Sequence, residues 1–143
     1  MIRVMIADDQ VFIRKLLSHI VSSSGGMHVV GEACTGLDLL EKLPGTDADV
    51  IVMDLMMPGL AWSETLGRIR HHYPDLPVVV VSSLPSMVYG DSVRAAGATD
   101  YIDKMRVAEV LATRVRAVVK RPYRAEHEDG SPIAEPSPST VLN

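Results

Sequence analysis

Val50-Ile51-Val52-Met53-Asp54 decides the fold: four consecutive apolar residues run without alternation into a carboxylate. A strand that faces water on one side alternates polar with apolar, whereas a strand covered by helices on both faces is apolar at every position. The stretch therefore reads as a central strand of a parallel sheet. Four further short β-branched runs stand at Ile2 to Ile6, His28 to Gly31, Val78 to Val81 and Thr99 to Ile102, of which Val78 to Val81 is likewise apolar throughout. Between them, Val11 to Ser22, Leu37 to Leu43, Ser63 to Tyr73, Met87 to Ala96 and Val107 to Lys120 repeat apolar residues three and four apart, the spacing of amphipathic helices. Strand and helix alternate five times, which predicts a doubly wound α/β fold with a five-stranded parallel sheet flanked by five helices.

The chain has 143 residues, enough for one domain with its own core. Residues 1–120 are read as that domain. Beyond Lys120, Pro122, Pro132, Pro136 and Pro138 stand among serines and acids, so 121–143 is read as a disordered tail or linker. It is too short for a DNA-reading module. The charge balance, 14 basic against 18 acidic residues for a net charge of -4, points the same way, and direct nucleic-acid binding is not expected. With Cys34 the only cysteine, no intramolecular disulfide can form, and it is read as a small buried or half-buried residue. No signal peptide is evident at the start. The longest apolar runs fall far below the ~20 residues of a membrane span, so a cytoplasmic protein without a membrane partner is expected.

In open α/β sheets, ligands sit beyond the carboxyl ends of the strands, where the strand order reverses. Here those ends are polar. Asp8 and Asp9 close the first strand, Asp54 the third, Ser82 and Ser83 the fourth, and the fifth runs through Asp103 to Lys104. Two carboxylates ~4 Å apart repel by about 1 kcal/mol in water and about 4 kcal/mol at an effective dielectric of 20. Three at one rim must raise their pKa values or hold a cation. An all-oxygen donor set without histidine or cysteine suits a hard ion such as Mg²⁺. Asp8 and Asp9 have the rival reading of helix N-caps ahead of Val11.

The ordered set Asp8-Asp9, Asp54 followed by Pro58, Ser82, and Tyr101 with Lys104 resembles the receiver domain of two-component response regulators, over Ile2 to about Lys120. The resemblance implies a flavodoxin-like sheet of order 2-1-3-4-5. It implies Asp54 as phosphoacceptor from a histidine kinase, and Mg²⁺ held by Asp9, Asp54 and the backbone carbonyl of Met56, with Asp8 acting through water. It implies that Lys104 pairs with the phosphoryl oxygens, that Ser82 is the hydroxyl bonding to them, and that Tyr101 is the aromatic whose rotamer follows that hydroxyl. A downstream protein would dock on the face of the fourth helix, fifth strand and fifth helix, and a homodimer is compatible. Such a domain catalyses only its own phosphorylation and dephosphorylation.

Val80-Val81-Ser82-Ser83-Leu84 and Phe12-Ile13-Arg14-Lys15 look most like the receiver half of chemotaxis methylesterases. The chain is then a free-standing receiver or the regulatory half of a truncated methylesterase. Three positions depart from the family pattern. Met105 replaces a proline after Lys104, so a trans peptide is expected there. Ala61-Trp62 stands where an Asp-Gly pair is usual, so the loop into the third helix is expected to be rebuilt. Met56 and Leu84 flank the path of attacking water with apolar groups, which predicts slow self-dephosphorylation. These departures keep a rival open: a phosphorylation-independent docking or dimerisation scaffold. A haloacid-dehalogenase-like phosphatase would need an acid two residues after Asp54, where Met56 stands.

Overall fold

The computed structural model describes residues 1–119. Five parallel strands, β1 (Ile2–Ala7), β2 (Met27–Ala33), β3 (Val50–Met53), β4 (Val78–Ser82) and β5 (Asp100–Asp103), form one sheet of order β2-β1-β3-β4-β5. The helices are α1 (Val11–Ser23), α2 (Gly36–Lys42), α3 (Trp62–His72), α4 (Ser86–Ala95) and α5 (Val107–Val118), with 3-10 turns at Leu43–Gly45 and Lys104–Arg106. The expected doubly wound architecture and strand order are those observed. Lys120, expected to end the fifth helix, and the expected tail 121–143 lie outside the described residues.

The unbroken apolar runs follow from two cores, one on each face of the sheet. Met5, Ile51, Met53, Val78, Val80 and Tyr101 point to one face, where Leu39, Leu66, Ile69 and Val93 of α2, α3 and α4 cover them. Val4, Ile6, Val50, Val52, Val79, Val81 and Ile102 point to the other, against Leu17 and Val21 of α1 and Leu111 and Val115 of α5. Successive strand residues thus serve opposite cores, as the period of two requires. Each fully buried aliphatic side chain contributes roughly 1.5 to 3 kcal/mol relative to exposure. A charge at Val52, which has no exposed surface, would cost more than its own burial contributes.

Strand order positions the site. From β1 the chain turns to β2 on one side and then crosses to β3 on the other, so a crevice opens between the carboxyl ends of β1 and β3. Asp8 and Asp54 follow those two ends directly, and the amides of both residues extend the ladder, Asp8 N–H donating to Ala33 and Asp54 N–H to Ala7. The loop from Asp54 to α3 makes its left-handed residue at Gly59 (φ +89°) and enters the helix from an extended Ala61. Trp62, half-buried, packs on the core beneath.

Candidate functional site

Asp8, Asp9 and Asp54 bring one carboxylate oxygen each to within 4.8 Å of one another, and this is the one such acidic group among the described residues. Asp8 and Asp54 are buried, whereas Asp9 is exposed. Lys104 reaches in from the turn after β5. Its Nζ donates to Asp54 Oδ2 at 3.4 Å and lies 3.3 Å from Asp8 Oδ2, close enough for an ion pair but off the direction of a hydrogen bond. Three carboxylates against one ammonium leave an excess of two negative charges.

Asp8 Oδ1 accepts from Gln10 N–H at 2.9 Å. Asp8 Oδ2 and Asp54 Oδ1 are buried and accept no hydrogen bond. Such oxygens are costly unless a cation or donor meets them. Burial first, and the neighbouring Asp54 charge after it, push the Asp8 carboxyl above its ordinary range, while Gln10 N–H and Lys104 pull the other way. Charge count, all-oxygen donors and two orphaned oxygens fit a divalent hard cation such as Mg²⁺. The capping alternative does not hold: the N-cap of α1 is Gln10, with no side-chain cap bond.

Ser82, fully buried, ends β4, and its Oγ accepts from Leu84 N–H at 3.2 Å. Tyr101, on the neighbouring strand, is buried and donates its hydroxyl to the Leu84 carbonyl at 2.6 Å. Burial pushes its phenol above the ordinary range, with the Ser82 hydroxyl opposing. Both residues therefore hold one loop, β4 to α4, from below. The Lys104–Met105 peptide is trans. Met56, two residues past Asp54, is 56% exposed, and Leu84 is half-buried and packs against the core.

Two features escaped sequence reasoning. Asp103, read only as part of the strand end, binds Ser86 with both carboxylate oxygens, at 3.0 and 2.8 Å. Arg70, in the last turn of α3, donates to the carbonyls of Tyr73, Pro74, Leu76 and Gly97, fastening the loop before β4. An acid beside the candidate lysine was the available signal for the first; the second had none. Cys34 is exposed, contrary to expectation. It lies in the turn that caps α2, where Thr35 Oγ1 accepts from Asp38 N–H and Asp38 Oδ2 accepts from Cys34 N–H, so its side chain has no core to enter.

The sequence pattern of the response regulator receiver domain matches residues 4–116. A protein-glutamate methylesterase/protein-glutamine glutaminase of Trichodesmium erythraeum (strain IMS101) is 38% identical over 104 residues, 71% of this chain and 30% of that protein. Its counterpart 2 from Methanosarcina mazei is 37% identical over 130 residues, 83% of this chain and 35% of that protein. The chain thus spans about a third of the length of these two relatives. Among solved structures, the response regulator domain of Thermotoga maritima CheB is similar with a TM-score of 0.76 at 34% identity, over 82% of this chain and 96% of that one. The receiver domain of Francisella response regulator 1452 has a TM-score of 0.76 at 28% identity, covering 85% and 98%.

Proposed function

We propose, from the premise that the chain belongs to the response regulator receiver domain family, that Asp54 is the residue through which it receives its signal. Asp54 takes a phosphoryl group from the phosphohistidine of a sensor histidine kinase. A carboxylate oxygen attacks phosphorus, the P–O bond forms as the P–N bond breaks, and the imidazole leaves with the bonding pair and takes up a proton. The product is an acyl phosphate on Asp54. Catalysis of this kind is mainly positioning and charge neutralisation.

The single observation that carries the reading is the state of the Asp54 carboxylate. One oxygen is held by Lys104, while the other is buried and accepts no hydrogen bond. A buried carboxylate oxygen without a donor is costly unless a cation or a new group meets it. Lys104 Nζ, already 3.4 Å away, is placed to follow the charge as it spreads onto the phosphoryl oxygens. Asp9, Asp54 and the backbone carbonyl of Met56 would hold Mg²⁺, with Asp8 acting through water. When bound, Mg²⁺ supplies positive charge opposite the phosphoryl oxygens. Ser82 would donate its hydroxyl proton to the phosphoryl group, drawing the oxygen that accepts from Leu84 N–H toward the site. Tyr101 would follow.

The role is regulatory, acting on no substrate but the chain's own aspartate, and the output passes through protein contact in the cytoplasm. Val11, Phe12, Met56 and Met105, one to three residues along the chain from Asp9, Asp54 and Lys104, are exposed apolar residues, 56, 77, 56 and 98% accessible, and would offer contacts for the kinase. The downstream partner docks on the face of α4, β5 and α5, and a homodimer is compatible with the same face. Residues 1–120 act as the receiver and 121–143 as its tail or linker.

A second reading concerns the whole protein. Because the chain spans about a third of methylesterase relatives, it serves either alone or as the regulatory part of such an enzyme. Incubation of the full chain with Mg²⁺ and a small phosphodonor, followed by intact mass, tests the phosphoacceptor. One phosphoryl adduct is expected on the wild type and none on Asp54→Asn. An adduct that survives that substitution, or none on the wild type, favours the docking scaffold. No helix among the described residues is long and apolar enough to cross a membrane.

A further inference from the structure

Helix α4 begins without a cap of its own. Its N-cap is Pro85, which makes no side-chain bond, and no acid stands in its first turn. The missing acceptor comes from another strand. Asp103, the last residue of β5, accepts from Ser86 N–H through Oδ1 at 3.0 Å and from Ser86 Oγ through Oδ2 at 2.8 Å. Both oxygens of one carboxylate are thus committed to the first residue of α4. The next two residues of that helix, Met87 and Val88, are 98% and 67% exposed.

Asp103 is also the register partner of Ser82 and the chain neighbour of Lys104. The segment Leu84 to Ser86 therefore hangs on three side chains of β4 and β5. Ser82 holds Leu84 N–H, Tyr101 holds the Leu84 carbonyl, and Asp103 holds Ser86. In the proposed function the first two follow the Ser82 hydroxyl. Asp103 answers to Lys104, because one peptide bond joins them and the two side chains diverge, one to the carboxylates and one to α4.

We infer that Asp103 is a positioning residue that couples the lysine of the site to the first turn of α4. Movement of Lys104 onto a phosphoryl group displaces the peptide it shares with Asp103, and the two-bond clasp on Ser86 carries that displacement to Met87 and Val88. The inference rests on the phosphoacceptor reading of Asp54. It adds a second route from site to surface, separate from the Ser82 and Tyr101 pair.

Hydrogen exchange of the full chain, read by mass on the peptide covering residues 84–90 with and without Mg²⁺ and a small phosphodonor, tests it. In the wild type this peptide should be protected at rest and change protection once the adduct forms. Asp103→Ala should lower resting protection about five- to tenfold, the scale of a lost helix cap, and show little further change on phosphorylation, while the adduct on Asp54 still forms. Ser86→Ala, which removes one bond of the clasp, should fall between. Asp103→Asn, which keeps an acceptor for Ser86 N–H, should restore much of the coupling.

If Asp103→Ala and Ser86→Ala both exchange as the wild type does, before and after the adduct, the clasp carries no signal and the inference fails while the phosphoacceptor reading stands. If Asp103→Ala does not fold, Ser86→Ala and Asp103→Asn decide by the same readout. If the wild type forms no adduct, the phosphoacceptor reading fails first and takes this inference with it.

Discussion

Lys104 reaches Asp54 across fifty residues of sequence, its Nζ 3.4 Å from Asp54 Oδ2, and the same ammonium lies 3.3 Å from Asp8. The lysine thus brings its positive charge into a cluster that also suits a divalent cation. Lys104→Met keeps the stem and removes the charge. Mg²⁺ should then bind several-fold more tightly, because like charges repel across a few ångströms of low-dielectric pocket, whereas phosphorylation by a small donor should slow by ~tenfold or more. Calorimetric titration with Mg²⁺ and adduct formation over time check the two halves. A loss of both together would mean the lysine is only a structural prop.

Asp8 Oδ2 is buried, accepts no hydrogen bond and shares its pocket with another carboxylate. Asp8→Asn removes that charge while its amide oxygen still accepts from Gln10 N–H. Without Mg²⁺ the variant should be more stable than the wild type by about 1 to 2 kcal/mol, the scale of an unsatisfied buried acceptor. The advantage should shrink as Mg²⁺ is added, since the wild type then gains more from the ion. Thermal melts in chelator and in excess Mg²⁺ give the comparison, and an Asn variant less stable in chelator would contradict it.

How far the sequence foretold these relationships depends on where the information lies. β3 was legible to the residue, since Val50 to Met53 are all buried and bounded by Asp49 and Asp54. β2 was read short, as His28 to Gly31 against Met27–Ala33, because it is an edge strand whose middle is only half-buried and whose pairing with β1 shifts at Val4/Met5. The convergence of the strand-end acids, Ser82 and Lys104 on one rim was legible because the strands are parallel, whereas Tyr101 came only from the family resemblance. The Asp103 clasp was not: strand periodicity does not say where the side chain of a terminal residue turns, and α4 declares its lack of a cap only once its start is fixed. The exposure of Cys34 is hidden from the sequence for a related reason, being set by the Thr35 and Asp38 cap rather than by its own hydrophobicity.

Tyr101 donates to the Leu84 carbonyl at 2.6 Å from a buried ring. Tyr101→Phe keeps the ring in its core and leaves that carbonyl without its partner. The expected loss is about 1 kcal/mol in denaturant unfolding, with phosphorylation of Asp54 intact, because the hydroxyl touches the loop rather than the acids. A fall in adduct yield matching that of Asp54→Asn would place Tyr101 in the chemistry instead.

The Asp38 carboxyl is held below its ordinary range, first by the Cys34 N–H it accepts and then by Lys42, 3.2 Å away. A carboxylate lowered in the folded state contributes stability that is complete above its unfolded pKa and disappears as pH falls through the lowered value. Asp38→Asn retains an acceptor for Cys34 N–H and loses the charge. It should destabilise the protein by about 0.5 to 1 kcal/mol at neutral pH. The difference should close as the pH drops below about 3.8 toward the folded-state value. Unfolding free energies at a series of pH values supply the test, and a gap independent of pH would assign the effect to packing.

Met56, two residues past Asp54 and 56% exposed, carries no group that can orient water. Hydrolysis of an acyl phosphate needs a water in line with the departing carboxylate, and a neighbouring amide or carboxylate supplies the hydrogen bond that holds it there. Met56→Asn and Met56→Glu should therefore shorten the lifetime of the Asp54 phosphoryl several-fold. Their high exposure means that stability should change by less than about 0.5 kcal/mol, which separates a chemical effect from a folding one. Decay of the adduct, followed by intact mass after removal of the phosphodonor, measures it. Unchanged lifetimes in both variants would show that water reaches the phosphorus by a path Met56 does not border.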